Sequence, residues 1–549
     1  MVRRHAIAVA LAILVVAPRA AHAQGEILVD FFAAPGTGFA DTTPASPVGG
    51  NPGLTVGQQR IFVFLQAAAI WTQALHPAQN IYMAAQFTAL GPNVLGSAGP
   101  RFIWSNFPGA ELPNTWYFDT LADHLTTGDL SPTTYDIQAN FSTQFPFYLG
   151  FDGNEPAGTS DLLAVVLHEM GHGLNFANAV NEVDGSIPVP AGATEAFGDI
   201  YSQYTMDVTT GRTWNAMTPA ERAASALNVR HVSWSGLHLK LNQYKVLERG
   251  EPAVRLTAGG TTVPAMLGRA AFGPALTATG TAGNVAVAID AADALGPSTT
   301  DGCSPITSDV RGAVALIDRG TCGFVVKVKN AQDAGAIAVL IGDNVIALPP
   351  ADLGGADPLI TIPSGRIGLS DATAIKTRLA LGETVRARLL VDTSVFAGTD
   401  RVRRQVMLAS LNPVQPGSSI SHFEAVASPN LLMEPAINGS LTSSVQPPQD
   451  LTLPLLTDLG WFTDRDGVQD GVDACLGSNI TPTVVLNSCD SFVPNKTYPS
   501  GCTTSDVLAA CSAVPNRLYP SCIALATSVL RFAGELSGQQ QGAIVRCAR

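Results

Sequence analysis

Asp161–Phe176 reads DLLAVVLHEMGHGLNF and contains the most informative pattern of the chain. Its two histidines, His168 and His172, are four positions apart, so a helix places them on one face. Glu169 stands directly after the first histidine. The polar residues at 159–161, which precede the apolar run, are typical of a helix start. The stretch therefore predicts a helix over residues 160–173 that carries two imidazoles and a carboxylate.

The predicted helix is apolar on nearly every side, which indicates that it is buried. Burying imidazoles and a carboxylate is costly unless a partner compensates them. The pattern HExxH is typical of zinc-dependent hydrolases, whose two histidines bind the metal and whose glutamate takes a proton from water. We therefore predict His168 and His172 as zinc ligands and Glu169 as the general base. The alternative is a pair of core histidines whose neighbours satisfy their hydrogen bonds.

The first 23 residues have the pattern of a secretory signal peptide. Basic residues at 3–5 precede an apolar stretch, and Ala21-His22-Ala23 has the small-x-small form of a cleavage site. No later stretch is long and apolar enough to predict a membrane span. We expect the mature chain to be secreted, either extracellular or periplasmic, with no integral membrane segment.

Composition and cysteine placement limit the class of protein. The formal net charge of −13 argues against a nucleic-acid partner. The eight cysteines suggest disulfides in a secreted chain. Cys303 and Cys322 flank one predicted strand and are disulfide candidates, while the six from Cys475 to Cys547 allow 15 pairings. The last six lie in a short polar segment that needs covalent links to fold.

A strand–turn–helix–strand pattern occupies Gly312–Asn344, GAVALIDRGTCGFVVKVKNAQDAGAIAVLIGDN. This stretch resembles the protease-associated (PA) domain, which is inserted in several families of secreted peptidases. The similarity extends over roughly residues 250–395. The resemblance implies a non-catalytic lid or a module that presents substrate. A plain structural insertion is the alternative.

A catalytic zinc site needs a third protein ligand, and four residues are candidates: His422, Glu195, His231 and His238. We favour His422, which lies in SHFEAVASPNLLMEP. His231 and His238 have no recognisable setting and are expected to be surface or loop histidines.

The segment around His422 resembles the metzincin peptidases, whose third histidine is followed by a tight turn with a methionine. Met433 has that place here, and the resemblance implies that it packs beneath the metal ligands. Most metzincins carry the compact pattern HExxHxxGxxH, but this chain has Asn175 and Asn178 at the last two places. Asn enters the left-handed region readily, so Asn175 can replace the glycine. A long insertion between the second and third histidines is similar to the leishmanolysin-like branch.

Glu195 is the alternative third ligand. It lies in TEAFGDIYSQY, four residues before Asp199. A glutamate on a second helix followed by such an acid resembles the ligand segment of thermolysin-like enzymes, in which the later acid orients a histidine.

A run of aspartates directly after residue 463 predicts a calcium loop. Asp464, Asp466, Asp470 and Asp473 stand at short spacings, with glycines for a sharp turn and a cysteine at 475. The pattern is similar to thrombospondin type 3 repeats, which implies bound Ca²⁺. A solvated acidic linker is the alternative.

These patterns predict an α/β (α+β) multidomain protein. The expected order is a signal peptide (1–23), the first part of a metzincin-like catalytic domain (24–249), a PA-like insertion (250–395), the second catalytic part (396–462) and a calcium-loop and disulfide-rich module (463–549). The favoured function is a secreted zinc endopeptidase acting on protein or peptide substrates. The alternatives are an inactive, calcium-dependent binding protein and a zinc hydrolase with non-peptide substrates. The last module could contact a surface or a polymer.

Overall fold

The computed structural model describes residues 25–126, 128–436, 441, 443–462, 468, 473–475 and 477–548. The predicted signal peptide lies outside the described residues. The chain forms two compact units. Unit 1 comprises the described residues within Met1–Phe176, Gly236–Asn242 and Ser443–Arg549, and unit 2 comprises those within Ala177–Ser235 and Gln243–Thr442. Both contain helices and sheets, which confirms the prediction of a mixed α/β protein.

Helices and strands are numbered along the chain. The α-helices are α1 (Val56–Leu75), α2 (Asp119–Leu125), α3 (Leu162–Gly173), α4 (Ile200–Tyr204), α5 (Pro219–Ala226), α6 (Leu237–Val246), α7 (Phe324–Asp333), α8 (Leu369–Ala380), α9 (Thr452–Leu459), α10 (Thr504–Ala509), α11 (Tyr519–Phe532) and α12 (Gly538–Cys547). The strands are β1 (Ile27–Phe32), β2 (Ile81–Thr88), β3 (Gly96–Pro100), β4 (Ile103–Trp104), β5 (Thr115–Phe118), β6 (Ile137–Ser142), β7 (Phe147–Tyr148), β8 (Ser160–Asp161), β9 (Gly198–Asp199), β10 (Thr205–Asp207), β11 (Arg212–Thr213), β12 (Val232–Trp234), β13 (Arg249–Ala258), β14 (Thr261–Ala265), β15 (Gly268–Arg269), β16 (Thr281–Val287), β17 (Val314–Asp318), β18 (Ala338–Gly342), β19 (Ser364–Ile367), β20 (Val385–Phe396), β21 (Thr483–Leu486) and β22 (Cys489–Pro494).

Unit 1 is built on a four-stranded sheet in the order β1-β2-β6-β3. The first three strands are parallel, whereas β3 is antiparallel to β6 and forms an edge of the sheet. Helix α1 is fixed to α3 by a 3.1 Å hydrogen bond from the indole Nε1 of Trp71 to the carbonyl of Leu167. Both side chains are fully buried, so α3 lies in the core, as its apolar sequence predicts.

The central element of unit 2 is an eight-stranded sheet in the order β14-β13-β20-β16-β17-β18-β19-β15. Strands β16 to β19 are parallel neighbours, with α7 between β17 and β18. Val314 and Leu316 of β17 pack in one core with Ile375 of α8, while the alternate residues pack in a second core with α7. Because side chains alternate along a strand, both faces of these strands are covered.

Four disulfides join Cys303 to Cys322, Cys475 to Cys502, Cys489 to Cys547 and Cys511 to Cys522. The last three lie in the C-terminal module, where the β21–β22 hairpin and helices α10–α12 share one small apolar core. A core of this size gains most from covalent links that restrict the unfolded chain.

Within the described ranges, no helix combines the length and the apolar character that a membrane crossing requires.

Candidate metal centre

Helix α3 begins and ends with side chains suited to these places. The Asp161 carboxylate caps the first turn by accepting a 2.9 Å hydrogen bond from the amide of Leu163. At the other end, Asn175 has φ +82°, in the left-handed region. Its amide donates to the carbonyl of His172, and the next amide, of Phe176, donates to that of Gly171. These two bonds form a Schellman motif, in which Asn175 takes the left-handed position that glycine most often occupies.

The same turn fixes the orientation of His172. Its Nδ1 lies 2.8 Å from the Phe176 carbonyl oxygen, which can only accept, so Nδ1 carries the hydrogen and Nε2 presents a lone pair. Nε2 of His168 lies 3.1 Å away. Burial, reinforced by the neighbouring His168, lowers the pKa of His172 to about 3, so the ring is neutral at pH 7. The structure therefore brings the two predicted ligands together, with His172 in the form that binds metals.

Glu169 is buried beside the edge strand β3. Its carboxylate accepts a hydrogen bond from the amide of Ala98, but burial dominates and raises its pKa to about 8. A Cβ at Gly96 would lie 2.7 Å from Oε1 of Glu169, so only glycine at this place leaves room for the carboxylate. The base candidate thus lies against the backbone of β3, the edge strand of this sheet.

In unit 2, His422 is 5% exposed and is also oriented by a backbone carbonyl. Its Nδ1 lies 2.9 Å from the Ser418 carbonyl oxygen, so Nδ1 carries the hydrogen and Nε2 carries the lone pair. The next residue, Phe423, donates its amide to the carbonyl of Met433 over 2.7 Å. Met433 is fully buried in a turn, so the predicted ligand and the predicted methionine belong to one packed segment.

The competing ligand candidates have different surroundings. Glu195 is exposed and precedes α4 instead of lying on a helix, so the expected thermolysin-like helix is wrong. Asp199 caps α4 through the amide of Ser202. His231 is exposed, and its Nδ1 bonds the carbonyl of Val229. His238 lies in the first turn of α6.

Of the four predicted calcium ligands, Asp464, Asp466 and Asp470 lie outside the described residues. Asp473 is fully buried and accepts a 2.7 Å hydrogen bond from the amide of Cys475.

Sequence reasoning missed a second group of possible metal-ligating side chains in unit 1. Asp119, Asp123 and Asp136 are each at most 2% exposed, and one oxygen of each lies within 4.8 Å of the others. Burial raises the pKa of all three, to about 7 for Asp123 and Asp136. The only sequence signal was the spacing of Asp119 and Asp123, which are four residues apart on α2.

The raised pKa of Asp123 predicts a pH-dependent stability. The unfolded carboxyl loses its proton near pH 4, whereas the folded one keeps it to about pH 7. The free energy of unfolding should therefore fall as the pH rises from 4 to 7. We expect Asp123→Asn to reduce this fall by roughly 2–4 kcal/mol in urea unfolding, since one pKa unit corresponds to about 1.4 kcal/mol. Asp490→Asn, which changes an exposed carboxyl, is the control. If the free energy of unfolding of Asp123→Asn falls with pH as much as that of this control, the raised pKa of Asp123 is contradicted.

Residues 278–375 match the family model of the PA domain. Unit 2 contains a PA domain. The match includes the β17–α7–β18 unit, which the sequence identified as the characteristic pattern, and it confirms the predicted resemblance.

The relatives found by sequence share only short segments with this chain. One is vacuolar-sorting receptor 1 of Pisum sativum, 37% identical over 101 residues, or 17% of this chain and 16% of the receptor. Another is the probable lipoprotein aminopeptidase LpqL of Mycobacterium tuberculosis, 30% identical over 128 residues, or 23% of this chain and 24% of the relative. The chain thus spans less than a quarter of the length of either relative.

Among solved structures, a zinc aminopeptidase from Bacillus subtilis is similar at 24% identity and a TM-score of 0.20. The likeness covers 35% of this chain and 42% of the aminopeptidase.

Proposed function

We propose that this chain is a zinc-dependent peptidase in which His168, His172 and His422 bind the metal and Glu169 is the general base. The observation that carries the proposal is the 3.1 Å separation of the Nε2 atoms of His168 and His172. Two nitrogens at zinc–nitrogen distances of about 2.05 Å and a tetrahedral angle are about 3.3 Å apart. The two imidazoles of α3 therefore have the spacing of two ligands on one zinc ion.

The hydrogen bonds of the proposed ligand histidines also support zinc binding. Nδ1 of His172 and Nδ1 of His422 each bond a backbone carbonyl, as in metal sites whose ligand histidines are oriented by a second hydrogen bond. His172 binds as the neutral ring, because burial lowers its pKa. Three nitrogen ligands and one open position are the donor set of a catalytic zinc site.

Bound zinc would act as a Lewis acid that polarises the scissile carbonyl and makes water easier to deprotonate. The positive charge of bound zinc would favour the carboxylate form of Glu169, which would accept a proton from the attacking water and return it to the departing amine. Strand β3 is the last strand of its sheet among the described residues, so an extended peptide would bind by adding a strand at this edge, beside Glu169.

We assign the catalytic part to the metzincin type, with a leishmanolysin-like placement of its third ligand. The left-handed Asn175 after α3 and the buried turn at Met433 support this assignment. In this interpretation the PA domain is non-catalytic, the protein is secreted, and the aspartates at 464–473 bind calcium.

The proposal predicts that hydrolysis depends on the metal. We expect a zinc chelator to reduce casein hydrolysis by the purified chain at least a hundredfold, and stoichiometric Zn²⁺ to restore it. Undiminished hydrolysis by zinc-free protein would rule out the proposal. If the zinc-loaded chain cleaves neither casein nor unblocked peptides, the inactive binding protein is the better hypothesis.

A peptide blocked at both termini distinguishes an endopeptidase from an aminopeptidase. Cleavage at an internal bond is expected for an endopeptidase. Cleavage only of peptides with a free amino terminus would favour the aminopeptidase activity named for one relative.

A further inference from the structure

Asn178 occupies the place, six residues after His172, at which the compact metzincin pattern carries its third histidine. Its side chain instead forms a hydrogen bond with Ser421, the residue before the proposed ligand His422. Nδ2 of Asn178 donates to Oγ of Ser421 over 3.0 Å, and Ser421 directly precedes His422. The same Nδ2 donates to Glu182, while Oδ1 accepts from the amide of Val180. Both ends of the amide are therefore used, and its orientation is fixed.

The loop that presents His422 is strained. Ile420, two residues before the histidine, has φ +67°. The left-handed region is unfavourable for a β-branched residue and persists only where surrounding contacts enforce it. Here the amide of Ile420 donates to the carbonyl of Ala409 over 2.7 Å, and the carbonyl of Ile420 accepts a 3.0 Å bond from the buried hydroxyl of Tyr201.

Helix α4 contacts both the segment of Asn178 and the loop that precedes His422. Tyr201 lies in its first turn, and its N-cap residue Asp199 accepts a hydrogen bond from the amide of Ala179, next to Asn178. The segment at 178–179 and the loop at 420–421 are thus bound to one another and to the same short helix. The hydrogen bond from Nδ1 of His422 to the carbonyl of Ser418 then fixes the orientation of the imidazole ring.

We propose that Asn178 and Tyr201 are positioning residues that hold the loop of His422 in the conformation required for metal binding. This inference rests on the proposed function. Asn178, at the position where compact metzincins carry their third histidine, here helps to anchor His422, about 250 positions after His172. The contacts that anchor this loop also maintain the strained backbone of Ile420.

The test is the zinc affinity of the full chain, measured by competition with a chromogenic chelator. Removing groups that orient a metal ligand costs about 10- to 100-fold in affinity. We expect Asn178→Ala to weaken zinc binding at least tenfold and Tyr201→Phe, which keeps the ring packing, about three- to tenfold. The matched controls are Asn181→Ala in the same segment and Tyr244→Phe on an exposed part of α6, and both should stay within twofold of the wild type.

Cobalt-substituted protein provides a readout that a loss of stability alone would not change. We expect the visible absorption of bound Co²⁺ to change in Asn178→Ala and Tyr201→Phe but not in the controls. If both variants bind zinc and absorb as the controls do, the positioning role is refuted. If instead His422→Ala binds zinc as the wild type does, the third ligand of the proposed function is wrong, which is a different failure.

Discussion

Replacing Glu169 by glutamine is expected to reduce peptide hydrolysis about a thousandfold while the zinc content remains one ion per chain. Glutamine has nearly the same shape and keeps an oxygen that can accept from the amide of Ala98. It cannot accept a proton from water, and positioned general bases contribute about 10²- to 10⁴-fold to such reactions. Because Gly96 leaves only enough room for the present side chain, the isosteric change avoids repacking.

The measurement is kcat/KM on an internally quenched peptide, together with metal analysis of the same samples. Glu195→Gln is the matched control, because Glu195 is exposed and should leave the rate unchanged. Equal rates for Glu169→Gln and wild type, with zinc bound in both, would refute the role of Glu169.

Removing His422 is expected to release zinc as completely as removing His172. Three ligands hold a catalytic zinc ion, and the loss of one leaves a weak two-ligand site open to chelators. We expect His422→Ala and His172→Ala each to retain less than about a tenth of an ion per chain after dialysis against a weak chelator.

The controls for this second prediction are Glu195→Ala and His231→Ala, the competing ligand candidates. Both should retain zinc, because their side chains are exposed. Full zinc content in His422→Ala together with loss in Glu195→Ala would reverse the assignment of the third ligand.

Features with a local cause could be predicted from the sequence. The capped, apolar stretch at 161–173 forms a helix, and Asn175 takes the left-handed conformation expected of an asparagine in a glycine place. The strands and helix of Gly312–Asn344 were recognisable because both faces of the parallel strands are buried, so their sequences are continuous apolar runs.

Features that depend on long-range packing could not be predicted. Asn178 and Ser421 are 243 positions apart, and nothing in either local sequence indicates the bond between them. The carboxyl of Asp136 joins those of α2 only through tertiary structure. Glu195 was expected on a helix because the residues around it resemble a known segment, but α4 begins only after the cap at Asp199.

The pairing of β13 with β20 has a consequence for chain entropy. These strands are antiparallel, from Arg249 opposite Phe396 to Ala258 opposite Val385. The chain therefore enters and leaves the segment between them at neighbouring positions. Once the roughly 150 residues between them have folded, the flanking segments behave as if a short turn joined them. The loop from His172 to His422 then shortens from about 250 to about 100 residues, which lowers its closure cost by about 0.8 kcal/mol. Loop closure therefore hardly limits how much protein can be inserted between the second and third proposed ligands.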